Sequence, residues 1–359
     1  MNICIDISPL KNANSARGVG FYTQRLISSL KEFLPEHNYQ LLENPGGSAA
    51  IKADLIHYPY FDLFFLTLPI RTNTPIIVTV HDVIPLMFPK LFPKGVRGWI
   101  KLQIQKFKLH LVDAIITDSY SSKRDIAKYL GIPKKKIHVV HLAVDEFYEP
   151  NNDSSLRERI KQKYQLPGSF LIKVGDISPT KNFEVTLRAL AVTSDINLVL
   201  VGKALVADKD RQDVIPELKK ILRMISELGL ENRVHRLGFV PNDEMAALYS
   251  MARATLQNSL YEGFGLPALE SLSCGTPVIS SNVGSLPEVT GETGIVINPY
   301  SVDETAGAMR KIFEMDQEGY ESLQKACLQQ AKGFSMNKMA IDTYNIYAAI
   351  NQKNKSLKK

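Results

Sequence analysis

The sequence predicts an α/β protein made of two doubly wound domains in tandem. Its 359 residues correspond to about two domains, at roughly 150 residues each. Short β-branched runs alternate with helical periodicities along the chain, which is typical of parallel sheets covered by helices. A polar, turn-rich stretch at 146–167 separates two series of elements and indicates an inter-domain connection.

The elements of the first domain lie within residues 1–150. Apolar, β-branched runs predict its strands at 2–7, 54–58, 75–81, 113–118 and 136–140. Apolar residues at three-to-four spacing predict its helices at about 19–33, 94–112 and 120–130. Doubly wound sheets bind ligands beyond the carboxyl ends of their strands, so we expect functional residues in the loops after Ile7 and Val80.

The second domain is predicted within residues 165–335. The same patterns place its strands at 169–175, 196–201, 233–238, 253–257 and 277–280. They place its helices at about 181–193, 212–229 and 242–251, and a further helical pattern follows at 336–350. The loops after Val174, Val201 and Gln257 are therefore the second set of places where ligand-binding residues are expected.

The composition favours a cytoplasmic protein. Hydrophobic residues make up 45% of the chain and charged residues 22%, which are ordinary values for a soluble fold. Cys4, Cys274 and Cys327 lie far apart without a C-x-x-C pair, which indicates a reducing compartment. The amino terminus lacks the regions of a signal peptide, and no apolar run approaches the roughly 18 residues of a membrane span.

Positive charge is concentrated between Lys90 and Lys136, where twelve Lys or Arg residues accompany three Asp residues. Within this region the helix 94–112 has apolar residues at three-to-four spacing and basic residues on its other side. The pattern predicts a buried apolar seam under a solvated basic face. Docking of this helix on an anionic membrane surface is the alternative. Nucleic acid is not an expected partner, because no nucleic-acid-binding motif accompanies the charge.

Residues 258–279 carry the densest pattern of chemistry in the sequence. Gly263 and Gly265 allow the backbone to approach a ligand, and Pro267 suits the first turn of a helix that ends at Gly275. The amide groups around Phe264, Gly265 and Leu266, together with the helix dipole, would then form a site for a phosphate or pyrophosphate.

Two carboxylates flank this predicted anion site. Glu262 precedes the helix, and Glu270 lies about one turn inside it. They suit hydrogen bonds to a sugar ring and to a ribose diol, because carboxylates accept from paired hydroxyl groups. An ordinary loop acid and an ordinary helix residue remain the alternative. A glycoside hydrolase using both carboxylates is disfavoured, because hydrolysis needs no phosphate cradle.

At these residues the sequence resembles the family 4 glycosyltransferases. The resemblance rests on an E-x7-E motif within Y-E-G-F-G-L-P-A-L-E-S-L-S-C-G-T-P-V-I at 261–279. Weaker motifs occur in the family's order at 18–23, 80–85, 117–124, 174–182 and 201–203. The resemblance implies the GT-B fold, in which two Rossmann-like domains face each other across a cleft and a carboxy-terminal helix, here 336–352, crosses back to the first domain. It also implies sugar transfer from a nucleotide diphosphate, with retention and without an obligatory metal or other cofactor.

The resemblance assigns roles to individual residues. Lys181 matches the basic residue that contacts the donor diphosphate, and Glu262 the acid that contacts the transferred sugar. Glu270 matches the acid that binds the ribose, and His81 the residue near the anomeric carbon. The remaining donor-binding residues implied by the family are glycines and their neighbours, namely Gly18 and Gly20 of a Gly-rich loop, Gly175, Gly263, Phe264, Gly265 and Leu266.

The sequence departs from the family pattern at the second diphosphate cation. Many members have an Arg near the conserved Lys, where this chain has Asp176 and Thr180. Lys203 and Arg236 are candidates for that missing charge, although each also fits an ordinary exposed base.

The resemblance also implies the partners. The segment 81–85, H-D-V-I-P, looks like that of mannosyltransferases of polysaccharide assembly, so GDP-mannose is the first choice of donor and a UDP-sugar the second. The first domain would hold the acceptor, a glycan or lipid-linked glycan of polysaccharide or lipopolysaccharide assembly. The aromatic segment 57–66 predicts a short buried helix or, alternatively, an apolar wall for a lipid-linked acceptor at the cytosolic membrane face.

Three other functions are weighed against this one. A Rossmann dehydrogenase fails at the third glycine of its fingerprint, which is Thr23 here. A metal-dependent transferase would rest on the triplet Asp208-Lys209-Asp210, which lies away from any predicted strand end. A non-catalytic GT-B subunit that binds glycan or lipid and supports an active partner is the remaining alternative.

Overall fold

A computed structural model describes residues 1–12, 18–45, 52–69, 74–206 and 215–357. The chain divides into two compact units. Unit 1 comprises Met1–Ala143 together with Phe334–Lys359, and unit 2 comprises Val144–Gly333. Among the described residues, no helix is long and apolar enough to cross a membrane.

Unit 1 is built on a parallel six-stranded sheet with the order β2-β1-β3-β4-β5-β6. Its strands are β1 Asn2–Asp6, β2 Asn38–Leu42, β3 Leu55–Tyr58, β4 Ile76–Thr79, β5 Ala114–Thr117 and β6 Ile137–Val139. The central strands β3, β4 and β5 are buried along their whole length, because helices cover both faces of a parallel sheet. The five predicted strands of this half are confirmed, and the edge strand β2 was not predicted.

The helices of unit 1 are α1 Ser8–Lys11, α2 Gly18–Phe33, α3 Ile84–Met87, α4 Gly95–Leu111, α5 Tyr120–Leu130 and the carboxy-terminal α14 Met336–Leu357. Helix α14 lies against the amino-terminal part of the chain. The ring of Tyr344 stacks on His37 with centroids 4.4 Å apart, and the hydroxyl of Tyr347 lies 2.5 Å from Nδ1 of His57. The last helix is thereby part of unit 1.

The predicted orientation of helix α4 is wrong. The expected apolar seam faces outward, since Val96 is 77% exposed and Phe107 62% exposed. The buried side chains are instead Leu102, Gln105, Lys108 and Leu109. This side faces inward because Leu102 and Leu109 pack in the core of unit 1, and because Gln105 and Lys108 hydrogen-bond the backbone of the segment 59–68.

The aromatic segment 57–66 is not the predicted short helix, because residues 57 and 58 end β3 and a loop follows at 59–68. This loop buries Phe61 and Leu63 and leaves Phe65 64% exposed and Leu66 54% exposed. Asp62 holds this turn, because its Oδ1 accepts hydrogen bonds from the amides of Phe64 at 2.7 Å and Phe65 at 2.9 Å.

Unit 2 is built on a second parallel six-stranded sheet, with the order β12-β11-β10-β7-β8-β9. Its strands are β7 Phe170–Val174, β8 Asn197–Val201, β9 Val234–Arg236, β10 Ala254–Gln257, β11 Val278–Ser281 and β12 Ile295–Ile297. Its helices are α6 Ser154–Tyr164, α7 Phe183–Ala191, α8 Pro216–Glu227, α9 Asn242–Met251, α10 Leu266–Ser273, α11 Leu286–Thr290, α12 Val302–Glu314 and α13 Gln317–Ala331. The five predicted strands of this half are confirmed.

Helix α6 occupies half of the segment 146–167, which was predicted to be a turn-rich inter-domain connection. The prediction is therefore wrong for residues 154–164. Asp153 begins the helix by accepting hydrogen bonds from the amides of Ser155 and Leu156. Lys163 Nζ lies 2.7 Å from the carboxylate of Glu244 on α9, so α6 packs as part of unit 2. Residues 212–214 of the predicted helix 212–229 lie outside the described residues. Within the described part, helix α8 begins at Pro216.

Candidate active site

Two loops at the carboxyl edge of the second sheet bring Lys181 and Glu262 together. Strands β7 and β10 are parallel neighbours, so the loops that follow them meet at one edge of the sheet. The amide of Leu260 donates to the carbonyl of Thr180 at 2.8 Å and ties the two loops. Lys181 Nζ then lies 2.7 Å from Oε1 of Glu262, in a partly buried ion pair.

Glu262 is held by more than its ion pair. The same Oε1 accepts a hydrogen bond from Gln257 Nε2 at 2.8 Å and another from Ser259 Oγ at 2.6 Å. Burial by itself raises the pKa of Glu262, but the charge of Lys181 and the hydrogen bonds from Lys181 and Ser259 outweigh it and lower the pKa below its ordinary value. Glu262 is therefore an ionised hydrogen-bond acceptor in a fixed position.

A second ammonium group lies beneath this pair. Lys173 is the fourth of the five residues of β7, is 3% exposed, and donates to Oδ1 of Asn258 at 2.8 Å. Burial, followed by repulsion from Lys181, lowers the pKa of Lys173 to about 7, although Glu262 partly opposes the shift. Lys173 was not identified from the sequence. The available signal was a Lys inside the otherwise apolar run F-L-I-K-V.

The residue beside Lys181 is a glycine for a steric reason. Gly175 has φ +139, and a Cβ at that position would lie 3.3 Å from Cε of Lys181. A side chain there would crowd the path of the Lys181 side chain toward Glu262. The structure thus brings together three of the predicted residues: Gly175, Lys181 and Glu262.

The glycine-rich turn opens into helix α10 as the sequence predicts. Gly265 precedes the helix with φ +105, and a Cβ there would lie 2.7 Å from Cδ2 of Leu286. Ser285 Oγ holds the turn by donating to the carbonyls of Phe264 at 2.6 Å and Glu262 at 3.0 Å. The helix starts at Leu266, and the first turn of any α-helix presents amide groups that have no acceptor within the helix. Its ability to bind an anion stays a prediction.

Glu270 lies on α10, one turn from its start. Its Oε2 accepts a hydrogen bond from the hydroxyl of Tyr249 at 2.8 Å, which orients the carboxylate. Burial and the charge of Glu270 raise the pKa of Tyr249 well above its ordinary value, so this hydroxyl remains a donor. Tyr249 was not identified from the sequence, because it lies on α9, 21 residues before its partner.

In unit 1, His81 follows β4 and pairs with Asp118, which follows β5. Nδ1 of His81 lies 2.8 Å from Oδ2 of Asp118, and Nε2 lies 3.2 Å from the carbonyl of Pro59. Burial lowers the pKa of His81, but the nearby Asp118 carboxylate and its hydrogen bond outweigh burial and raise it. Both ring nitrogens face acceptors, which favours the imidazolium. The ring of Tyr22 packs edge-on against His81 at 4.7 Å.

The expected Gly-rich loop of unit 1 is helical from Gly18 onward, which corrects that expectation. Gly18 and Gly20 form the first turn of α2, and Gly20 is buried. Residues 13–17 are outside the described part of the chain, as is the triplet Asp208-Lys209-Asp210. Where the structure describes the chain, no three His, Cys, Asp or Glu side chains converge as metal ligands.

The two parallel six-stranded sheets define the class of the protein by its fold, which is that of the GT-B glycosyltransferases. Residues 19–146 match the family description "Glycosyltransferase Family 4", and residues 156–332 match "Glycosyl transferases group 1". The chain belongs to glycosyltransferase family 4, as its motifs predicted.

Relatives and a solved structure agree with this assignment. The O-antigen chain mannosyltransferase B of Escherichia coli is 30% identical over 311 residues, which cover 86% of this chain and 78% of that relative. The serotype-specific mannosyltransferase WbdA of Escherichia coli is 29% identical over 325 residues, 83% of this chain; the alignment spans only 38% of WbdA. The structure of HepE from Anabaena in complex with UDP-glucose has the same fold, with a TM-score of 0.74, 18% identity, and coverage of 97% of this chain and 99% of HepE.

Proposed function

We propose that the protein is a retaining, metal-independent glycosyltransferase that moves a hexose from a nucleotide-diphosphate sugar to a glycan or lipid-linked glycan. The observation that carries the proposal is the Lys181–Glu262 pair, 2.7 Å apart, at the sheet edge from which helix α10 starts. An ammonium group and a helix start suit a diphosphate, and a fixed carboxylate suits sugar hydroxyls. Polysaccharide or lipopolysaccharide assembly at the cytosolic face of a membrane is the proposed setting.

The proposed reaction needs no protein nucleophile. The bond from the anomeric carbon to the phosphate oxygen breaks, the acceptor oxygen bonds to the same face of that carbon, and the departing phosphate takes the acceptor proton. Lys181 and the start of α10 stabilise the charge that develops on the leaving diphosphate. In this proposal Glu262 orients the sugar and Glu270 the ribose, and His81 is assigned the role of contacting the donor sugar at its anomeric carbon. The glycines 18, 20, 175, 263 and 265, with Phe264 and Leu266, complete the proposed donor contacts.

Lys173 fills the place of the diphosphate cation that the sequence lacks at Asp176 and Thr180. Its ammonium is close enough to Lys181 and Glu262 for both charges to shift its pKa. It would add positive potential beneath the phosphates rather than a direct contact, because its Nζ is already bound to Asn258. Arg236 is a weaker candidate, since its guanidinium donates to the carbonyl of Leu205 at 2.8 Å.

Mannose is the first choice of sugar and GDP-mannose of donor. The relatives named mannosyltransferases support this choice, and HepE, with its bound UDP-glucose, supports a UDP-sugar as the second. A panel of GDP- and UDP-sugars, assayed for release of free nucleotide, tests it. Faster release from a UDP-sugar than from GDP-mannose would overturn the choice of donor.

The catalytic roles are tested by matched substitutions. Lys181→Met should lower turnover about 100- to 1000-fold, the usual cost of removing one transition-state electrostatic contact. Lys311→Met, an exposed lysine of the same unit, is the control and should be neutral. Glu262→Gln should suppress transfer more than nucleotide affinity, and Glu270→Gln the reverse. Titration calorimetry with GDP and UDP separates binding from turnover, and a wild-type protein that binds neither would instead be a non-catalytic subunit.

A further inference from the structure

Helix α4 exposes its apolar side. The exposed side chains on one face of this helix form what we call the outer face of α4, which comprises Val96, Trp99, Ile100, Ile104, Phe107 and Leu111. Each of them is more than a third exposed, from 39% for Ile104 to 77% for Val96. A face of six large apolar side chains on one exposed helix is unusual for a protein surface and indicates an interaction site.

The inner side of the helix explains why this orientation is fixed. Nε2 of Gln105 lies 2.7 Å from the carbonyl of Phe65 and 2.9 Å from that of Asp62. The buried ammonium of Lys108 donates to the carbonyl of Leu68. Turning the helix to bury its outer face would leave these backbone carbonyls and the Lys108 charge without partners, which is energetically unfavourable.

The charge around the outer face has one sign. Residues 83–112 contain six Lys or Arg and no Asp or Glu. Lys94 and Arg97 are exposed beside the outer face, and Lys101 lies with its Nζ 4.8 Å from the ring of Phe65. The exposed side chains of Phe65 and Leu66 are on the loop that α4 anchors. An apolar face bordered by cations complements a surface with anionic groups above a hydrocarbon interior.

We infer that the outer face of α4 inserts into the headgroup region of an anionic lipid bilayer, with Lys94, Arg97 and Lys101 at the phosphate level. This inference deepens the proposed function by naming the membrane-binding surface. It rests on the proposed function in one respect, which is that a lipid-linked acceptor requires the enzyme to work at a bilayer. Insertion of apolar side chains is the main interaction, and the basic side chains add attraction to anionic lipids. The sequence pattern offered docking of this helix on an anionic membrane as an alternative, without assigning a side of the helix to the membrane.

The single tryptophan makes the inference directly measurable. Trp99 is the only Trp in the chain, is 53% exposed, and lies on the outer face. Its fluorescence emission should shift to shorter wavelength when vesicles of phosphatidylcholine with phosphatidylglycerol are added. Lipids brominated along the acyl chain should quench it. Vesicles of phosphatidylcholine alone should bind more weakly, because the basic border then has no anionic partner.

Substitutions separate insertion from simple charge attraction. The double variant Ile100→Gln/Phe107→Gln keeps the charge and should weaken vesicle binding by about tenfold or more, since it removes two of the inserted side chains. Val192→Gln, at a 59% exposed apolar residue of unit 2, is the matched control and should bind like the wild type. Arg97→Gln/Lys101→Gln should abolish the preference for anionic vesicles and retain weak binding.

Three results would overturn the inference. The first is no Trp99 shift with anionic vesicles at low salt. The second is vesicle binding that Ile100→Gln/Phe107→Gln leaves unchanged. The third is a concentration-dependent Trp99 shift without lipid, together with a dimeric mass by light scattering, which would assign the outer face to a second copy of the chain. Donor hydrolysis in solution reports on the proposed function separately, because Ile100→Gln/Phe107→Gln should leave it unchanged.

Discussion

Replacing Lys173 by Met tests the electrostatics of the candidate site without touching a residue proposed to contact the donor. Lys173 is 3% exposed and donates one hydrogen bond, to Asn258. Met has nearly the same length and no charge, so Lys173→Met removes a buried ammonium and keeps the packing. The stability of the variant should then depend on pH differently from that of the wild type.

The sign follows from the two protonation equilibria. Burial lowers the pKa of Lys173 from 10.5 to about 7, so between these values the unfolded chain holds a proton that the native protein lacks. The unfolding free energy therefore rises with pH between these two values. Below and above them, the contribution of Lys173 to the unfolding free energy does not change with pH. From pH 7 to pH 9 the rise from this one group is about 2 kcal/mol. Lys173→Met should lack that increment while every other titrating group contributes equally.

Urea unfolding at several pH values, followed by far-UV circular dichroism, measures the difference. The fluorescence of Trp99 follows unit 1 and gives an internal reference in the same samples. Lys311→Met carries the same substitution at an exposed position of unit 2 and should follow the wild type. If Lys173→Met and the wild type gain the same stability between pH 7 and pH 9, burial does not lower the pKa of Lys173 to about 7, and the account of this buried group is wrong.

Two further substitutions test local claims. Asp118→Asn should lower the pKa of His81, because the Asp118 carboxylate then no longer opposes the effect of burial. Titration of the His81 imidazole followed by NMR measures this pKa, and an unchanged value would contradict the pairing of His81 with Asp118. Gly265→Ala should lower the unfolding free energy by about 2 kcal/mol, because its φ is +105 and its Cβ would meet Leu286. Gly307→Ala, within helix α12 and with no atom near the new Cβ, is the control and should be neutral or stabilising in thermal unfolding.

The strands could be predicted because parallel strands buried on both faces are continuous apolar runs. The segment 114–117, A-I-I-T, is such a run and is wholly buried in β5. The edge strands β2 and β12 could not be predicted in this way. β2 is Asn38–Leu42, N-Y-Q-L-L, a half-exposed strand that pairs with β1 over five residues. Its strand conformation depends on a partner 36 residues earlier, which local periodicity does not reveal.

The orientation of helix α4 shows a second limit. Periodicity divides a helix into two faces, and the usual rule buries the more apolar one. Here the buried side combines the core residues Leu102 and Leu109 with Gln105 and Lys108, whose side chains must satisfy backbone carbonyls of the loop 59–68, about 40 residues earlier. That requirement exists only once the loop has folded, so the sequence of the helix does not contain it.

Those residues of the candidate site that belong to a recognisable sequence motif could be predicted. Lys181 and Glu262 lie 81 residues apart, and each belongs to a recognisable motif, so their meeting follows from the strand order. Asp118 also lies in one of the weaker motifs, at 117–124, but no role was assigned to it before the pairing of β4 with β5 brought its carboxylate to His81. Lys173 could not be predicted, because a cation inside a buried strand contradicts the strand pattern. Its role can be inferred only from its hydrogen bond to Asn258 and from the nearby charges of Glu262 and Lys181.

The charges of unit 2 suggest how a donor would change the site. Glu262 compensates two ammonium groups, through a direct ion pair with Lys181 and at longer range with Lys173. A diphosphate that binds Lys181, as proposed, competes with Glu262 for the same ammonium. The carboxylate then loses one of the three hydrogen bonds at Oε1 and becomes available to a sugar hydroxyl, while Gln257 and Ser259 still hold its position. Without a donor, the carboxylate of Glu262 thus occupies the place beside Lys181 that the diphosphate would take. Glu262 becomes free to contact the sugar only when the diphosphate binds Lys181.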